Sequence, residues 1–340
     1  MREQEVVQAP AAVVAESLVK SFKGVQALSG VSMRVDEGEV RGVLGPNGAG
    51  KTTMMRILTT QLRPTSGEAW VLGYHVVREA SRVRRHIGYV PQEFSVWSDL
   101  TGYENLRIYA KLYGIPGDRR ERVVWNMLDF MDLREAAGRL VKTYSGGMIR
   151  RLELAAALMV SPSVLFLDEP TIGLDPRARE LVWSKILEYV KEYNATVVFN
   201  THYMDEAERY ANKVTVINRG AVVAEGTPEE LVKLVGESSV ARICIDSGVE
   251  KAVQLLSRVP GVVLLSSKNP LVVRLDDAER GMVQVMKVLV EGGVSVEQVS
   301  LRNPTLEDVF IKLTGKTFEE AEAESFRAVS AARRAIRKGG

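Results

Sequence analysis

One nine-residue stretch restricts this chain more than any other: Gly45, Pro46, Asn47, Gly48, Ala49, Gly50, Lys51, Thr52 and Thr53. It fits the pattern G-x-x-x-x-G-K-[ST], follows an apolar run at 40–44 and opens a helical pattern over 53–60. A strand that enters a helix through a glycine-rich loop turns successive backbone N–H groups toward one point, where the positive end of the helix dipole adds to them. Gly45, Gly48 and Gly50 permit that curl. Lys51 brings a charge suited to β and γ phosphates, and the Thr52 hydroxyl is a ligand suited to Mg²⁺. The stretch predicts a nucleoside triphosphate bound at the carboxyl end of a strand in an α/β sheet.

A second apolar run, 164–167, delivers two acids together, Asp168 and Glu169, followed by Pro170. Adjacent carboxylates at a strand end are unfavourable unless a cation or a water needs them. Asp168 would hold Mg²⁺ directly or through its water shell. Glu169 would polarise the attacking water as a general base, a role worth about 10²- to 10⁴-fold in rate. A third run, 196–200, also ends in polar residues, the usual place for ligands in open α/β sheets.

The remaining sequence predicts how these strands are organised. From 12 to 236, short β-branched runs alternate with helical periods, as in a mainly parallel sheet flanked by helices. Within it, residues 97–160 change to long amphipathic segments carrying Trp97, Tyr103, Tyr109, Tyr113 and Trp125, which predicts a helical subdomain inserted between sheet strands. Residues 239–315 read as a small α+β unit with the order β-α-β-β-α-β of ferredoxin-like folds. A loose extension ending near residue 11 precedes the first unit, and a charged tail, 316–340, switches from acidic to basic.

The formal net charge of +2 gives no electrostatic argument for nucleic acid, and no run approaches the about 20 apolar residues that cross a bilayer. The N-terminus, with Glu3 and Glu5, does not read as a signal peptide. Cys244 stands alone, which excludes an internal disulfide and fits a reducing compartment; its apolar neighbours predict a buried strand position. His75 and His86 have no companion ligands.

Upstream of the acid pair lie Tyr144, Ser145, Gly146, Gly147 and Met148. This resembles the signature of ABC ATPases, usually Leu-Ser-Gly-Gly-Gln. Ser145 can cap the helix carrying residues 149–158, leaving the N–H groups of Gly146 and Gly147 facing an anion. Other pieces of the family pattern follow in order. Phe22 resembles the aromatic that stacks on adenine, Gln92 the glutamine that senses Mg²⁺ and contacts the membrane partner, Asp175 the D-loop aspartate, and His202 the histidine that touches the γ-phosphate. The resemblance covers about residues 12–235. It implies a P-loop ATPase that binds ATP and Mg²⁺, with Thr52, Gln92 and Asp168 around the metal and Glu169 and His202 at the reacting phosphate. It also implies a head-to-tail homodimer in which Ser145 to Gly147 of one copy close the ATP site of the other, seated peripherally on the cytoplasmic face of a membrane under a separate integral permease.

The variant Tyr-Ser-Gly-Gly-Met, followed by Arg150, Arg151 and Leu152, resembles the drug-resistance branch typified by daunorubicin exporters. The segment Asn303, Pro304, Thr305, Leu306, Glu307, Asp308, Val309 and Phe310, with Leu313, Thr314 and Gly315, resembles the end of that branch's C-terminal domain. The branch implies an ABC-2 type permease and export of a drug, lipid or other hydrophobic cargo. The alternative is a family member without a permease, serving as an adaptor or in assembly. DNA-repair relatives need long coiled coils ahead of the signature, and ribosome-associated ones need two phosphate loops; this chain has neither. A kinase or GTPase would lack the Ser-Gly-Gly motif and His202.

Overall fold

A computed structural model describes residues 10–22, 25–235 and 239–324. The acidic start of the charged tail falls among them, and its basic part beyond 324 lies outside. The described residues divide into two compact units, one reaching to Gly45 and resuming over Ala49–Val222, the other made of the residues from Val223 onward with the loop tip Pro46–Gly48.

The first unit opens with two long strands, β1 (Ala11–Phe22) and β2 (Val25–Asp36), then β3 (Val40–Leu44), α1 (Lys51–Leu58), β4 (Ser66–Val71), β5 (Tyr74–His75), α2 (Ala80–His86) and β6 (Ile87–Val90). A helical block follows, α3 (Gly102–Leu112), α4 (Gly117–Phe130) and α5 (Gly146–Leu158), and the chain then returns to the sheet through β7 (Val164–Asp168), α6 (Pro176–Tyr193), β8 (Thr196–Thr201), α7 (Met204–Tyr210) and β9 (Lys213–Asn218). The strands β9, β3, β8, β7 and β6 lie side by side in that order, and each adjacent pair is parallel. The expectation of a mainly parallel sheet holds for these five. It does not hold for the N-terminal strands, which make a separate antiparallel sheet in the order β2-β1-β4-β5. Only two residues separate β1 from β2, too few for the crossover that parallel pairing needs. The strand β1 also starts at Ala11, inside the stretch read as a loose extension.

Apolar runs without polar alternation make sense once both faces of the parallel sheet are covered. Successive side chains of β7 alternate between two cores: Leu165 and Leu167 pack with Leu106, Leu128, Leu154 and Trp183. Val164 and Phe166 pack with Leu28, Met54, Ile57 and Val198. The first core is how the helical block is anchored. Its tyrosines and tryptophans pair on the way, Tyr103 with Trp125 at 5.3 Å between ring centroids and Trp97 with Tyr109 at 5.4 Å.

The chain enters the second unit along β10 (Ala221–Gly226) and continues through α8 (Pro228–Lys233), β11 (Ser239–Ser247), α9 (Val249–Leu256), β12 (Val262–Ser266), β13 (Leu271–Leu275), α10 (Ala278–Glu291), β14 (Ser295–Arg302) and α11 (Leu306–Thr314). Four of these strands form an antiparallel sheet in the order β12-β13-β11-β14, the βαββαβ arrangement expected from the sequence. Its core takes every second residue of β11 and β13 (Ala241, Ile243, Ile245; Leu271, Val273, Leu275) against Leu256 and Leu289. Cys244 falls out of phase with that alternation and is half-buried, not buried as expected.

Trp183 of α6 is fully buried, edge-on to Phe199 at 4.7 Å and stacked on Tyr210 at 4.4 Å. Trp183→Ala should therefore cost about 3–5 kcal/mol through the lost apolar area and the cavity left behind. A urea unfolding series checks this, with a shift of the midpoint at unchanged slope as the expected result.

Candidate active site

The site is built from the carboxyl ends of four adjacent parallel strands, β3, β8, β7 and β6. β3 ends at Leu44 and passes through residues 45–50 into α1. The conformation of that loop depends on its glycines: Gly50 sits at φ 108°, and a Cβ there would lie 2.5 Å from the carbonyl of Ala27, while one on Gly45 would lie 2.3 Å from that of Ile217. Pro46 and Ala49 are buried, Asn47 and Gly48 exposed, and Thr53 lies half-buried in the first turn of α1. Lys51 is only 4% exposed and donates to the Gly45 carbonyl at 2.6 Å.

At the ends of β7 and β8 the parallel register sets Asp168 beside Asn200. Asn200 serves both acids. Its Nδ2 donates to Asp168 Oδ1 at 2.6 Å, and its Oδ1 accepts from the Glu169 backbone N–H at 2.7 Å. Thr52 donates its hydroxyl to the same Asp168 oxygen at 3.1 Å, and Tyr89 of β6 reaches the other at 3.4 Å. Burial pushes the Asp168 carboxyl up, and the hydrogen bonds from Asn200 and Thr52 work against that rise. Burial and the neighbouring Asp168 push the Tyr89 phenol up to about 12.

Glu169 occupies the left-handed region at φ 51°, a strained conformation for a residue with a Cβ. Gln92 Nε2 donates to its Oε2 at 3.2 Å; His202 Nδ1 lies 3.3 Å and Lys51 Nζ 3.9 Å from its Oε1. Burial raises this carboxyl, but His202, Lys51 and Arg150 outweigh burial and hold it below the usual range. A buried carboxylate that stays ionised at a strand end is equipped to accept a proton from water.

The structure thus gathers Lys51, Thr52, Gln92, Asp168, Glu169 and His202. It does not join the other candidates to them: among the described residues no hydrogen bond or ion pair links Phe22, Ser145, Gly146, Gly147 or Asp175 to this cluster. Ser145 caps α5 as expected, accepting from the Met148 N–H at 3.3 Å. Asp175 caps α6, accepting from the Ala178 N–H at 3.0 Å. Phe22 ends β1 with its ring 44% exposed and the Lys20 ammonium 5.0 Å from its centroid, so it is not a core residue. His75 is buried and accepts from the N–H groups of Val77 and Arg78, while His86 stacks on Tyr74.

The donor set fits Mg²⁺. Thr52 and Asp168 present hard oxygens side by side, and the Gln92 amide, donating to Glu169 through nitrogen, keeps its oxygen as a further donor. Among the described residues no cluster of three His, Cys, Asp or Glu side chains could cage a metal unaided. Mg²⁺ typically takes one or two protein ligands and completes its shell with phosphates and water.

Several participants carry no signal of their own in the sequence. Asn200 becomes visible only when the runs at 164–168 and 196–201 are placed in register as neighbours. Glu206 of α7 is 1% exposed and accepts from the hydroxyls of Thr171 and Thr201, tying the loop after the acid pair to the residue before His202. Its sequence signal, an acid in the first turn of a helix, is indistinguishable from ordinary dipole compensation.

Comparison with known proteins relates the chain to ATP-binding proteins. Residues 28–172 match the family model described as ABC transporter, and residues 226–314 match the one described as ATP-binding protein DrrA1-3-like, C-terminal domain. Daunorubicin resistance ATP-binding protein DrrA3 of Streptomyces coeruleorubidus is 39% identical over 93% of this chain and 99% of its own. Linearmycin resistance ATP-binding protein LnrL of Bacillus subtilis is 31% identical over 90% and 99%. Among solved structures, the dimeric post-hydrolysis state of the ATP-binding cassette MJ0796 bound to ADP and Pi superposes with a TM-score of 0.58 at 27% identity, covering 63% of this chain and 98% of that one.

Replacing Asn200 by Leu keeps the volume but takes the shortest donor from the buried Asp168 carboxylate, leaving it Thr52 and Tyr89, and leaves the Glu169 N–H with only the backbone carbonyl of residue 200; the loss should cost about 1–3 kcal/mol. Chemical denaturation should report the loss; a variant as stable as the parent would show that water replaces the amide.

Proposed function

The chain belongs to the ATP-binding subunits of ABC transporters, an ATPase family coupled to membrane permeases, and on that premise we propose which residues perform the hydrolysis and what it drives. The convergence of Gln92, His202 and Lys51 on one buried carboxylate, Glu169, supports the assignment most directly. Residues 45–53 hold the triphosphate, with backbone N–H groups and Lys51 against the β and γ phosphates. Thr52 and Asp168, with Gln92 beside them, would hold Mg²⁺, which would supply neutralisation of phosphate charge. Glu169 takes the proton of the attacking water, and Asn200 fixes both acids through one amide. His202 is kept beside Glu169 and reaches the γ-phosphate with its other ring nitrogen. Phe22, exposed at its strand end, stacks on the adenine.

Two copies complete the site. The N-terminus of α5, capped by Ser145 and opening with Gly146 and Gly147, presents free N–H groups and a positive dipole end that suit a phosphate carried by the partner, with Asp175 at the same interface. In this reading the dimer works from the cytoplasmic face through an ABC-2 type permease; among the described residues no helix is long and apolar enough to cross a membrane. The similarity to daunorubicin and linearmycin resistance proteins along nearly the whole chain supports export of a hydrophobic compound.

Lys51→Ala should abolish ATP binding, because it removes a ground-state contact. Glu169→Gln should keep binding, lower turnover by about 10²- to 10⁴-fold and accumulate an ATP-bound dimer on gel filtration. Parental turnover in Glu169→Gln would overturn the assignment of the base. Mixing Lys51→Ala with Ser145→Ala protein should restore some activity, since one of the two shared sites in each heterodimer then carries neither change.

We assign residues 239–315 a role in regulation or assembly, because they carry none of these groups. A chain ending near residue 236 should therefore hydrolyse ATP at close to the parental rate while transport falls. Loss of nucleotide binding in a well-folded truncated chain would contradict this.

A further inference from the structure

Residues 91–95, the exposed loop that carries Gln92, have no regular secondary structure. Such a loop needs partners for its backbone groups, and without them its position is set by little more than the strand it leaves. Here the partners are side chains. Arg150, on α5, is 1% exposed and donates Nη1 to the Pro91 carbonyl at 2.7 Å and Nη2 to the Gln92 carbonyl at 3.0 Å. One turn later on the same helix, Glu153 is 2% exposed and pairs with Arg150 at 3.0 Å. Its Oε1 accepts from the Ser95 hydroxyl at 2.9 Å and from the Ser95 backbone N–H. The Arg150 guanidinium also lies 5.5 Å from the centroid of the Phe94 ring. Nearly every residue of the loop is thereby tied to the helix that begins at Ser145.

A buried ion pair is weak evidence for stability, since well-packed apolar side chains of similar volume often serve as well or better. What apolar residues could not do is bond to two carbonyls, an N–H and a hydroxyl of a loop that has no ladder of its own. We infer that Arg150 and Glu153 are positioning residues, which strap residues 91–95 to α5 so that the Gln92 amide is presented to Glu169. The inference rests on the proposed role of Gln92 at the Glu169 carboxylate. It also makes α5 and the loop one body, so that a displacement of either carries the other.

The test uses the purified full chain and its basal ATP turnover. Breaking one partner of a buried pair is destabilising, so the strap is removed as a pair, Arg150→Met with Glu153→Leu, and unfolding midpoints are checked for each variant. This double variant, Gln92→Ala, and all three changes together form a cycle. The expected result is a kcat lowered about 10- to 100-fold in the strap variant with KM for ATP nearly unchanged, the size of effect that misplacing one positioning group produces. Adding the strap changes to Gln92→Ala should lower kcat far less than they do in the parent, the remainder reflecting the loss of the Arg150 charge that helps hold Glu169 down. Faster amide exchange at Ser95 in the strap variant is the accompanying signature, and Arg150→Lys, which keeps the charge next to Glu153 but loses the fork, should fall between parent and strap variant. Parental kcat in the folded strap variant, beside an impaired Gln92→Ala, overturns the strap alone. So does a triple variant whose loss is the product of the two. Parental kcat in Gln92→Ala overturns the role of Gln92 and the inference with it.

Discussion

Everything at this site depends on how one strand end accommodates two adjacent carboxylates in a buried position. Asp168 and Glu169 are 1% and 5% exposed, and no apolar environment tolerates two such charges without donors. The chain answers by sending the two acids opposite ways. Asp168 stays in the strand and collects Asn200, Thr52 and Tyr89. Glu169 leaves it through a left-handed turn and faces Gln92, His202 and Lys51. Two chemically similar groups thereby acquire opposite proton affinities, one pushed up and one held down, from a single change of backbone direction.

The parallel sheet makes that convergence possible. Its strands all end on the same edge, so loops far apart in sequence meet there without long excursions. Residues near 51, 92, 168 and 202 are brought within a few ångströms because β3, β6, β7 and β8 are neighbours, not because any local segment encodes the cluster. Glu206 adds a tie between two of those loops, and the charged pair on α5 adds one to a third.

The sequence was legible where local chemistry and strand ends coincide. A glycine-rich loop ahead of Lys51, or an apolar run closing on Asp168, has few physical uses, and the structure puts both where the pattern requires. The alternation of the second unit was legible for the same reason, because a one-sided sheet must alternate. The antiparallel N-terminal sheet was not: its pairing of β1 with β4 joins residues about fifty positions apart through packing that no periodicity records. Arg150 and Glu153 look in sequence like an ordinary i,i+3 pair on a helix surface, and only burial separates them from one. Cys244 sat in an apolar run, yet the phase of the strand, fixed by its neighbours, turned it outward.

The left-handed backbone at Glu169 has a bearing on how this protein could be improved as a reagent. A position that combines a positive φ, which costs of order 1–3 kcal/mol, with a buried charge is a place where many replacements relieve the fold. Glycine would remove the strain and asparagine would lessen it, and either would remove the charge. Selection for heat tolerance alone would therefore drift toward molecules that are sturdier and inert, and libraries built on this scaffold gain nothing at that codon unless turnover is scored alongside survival.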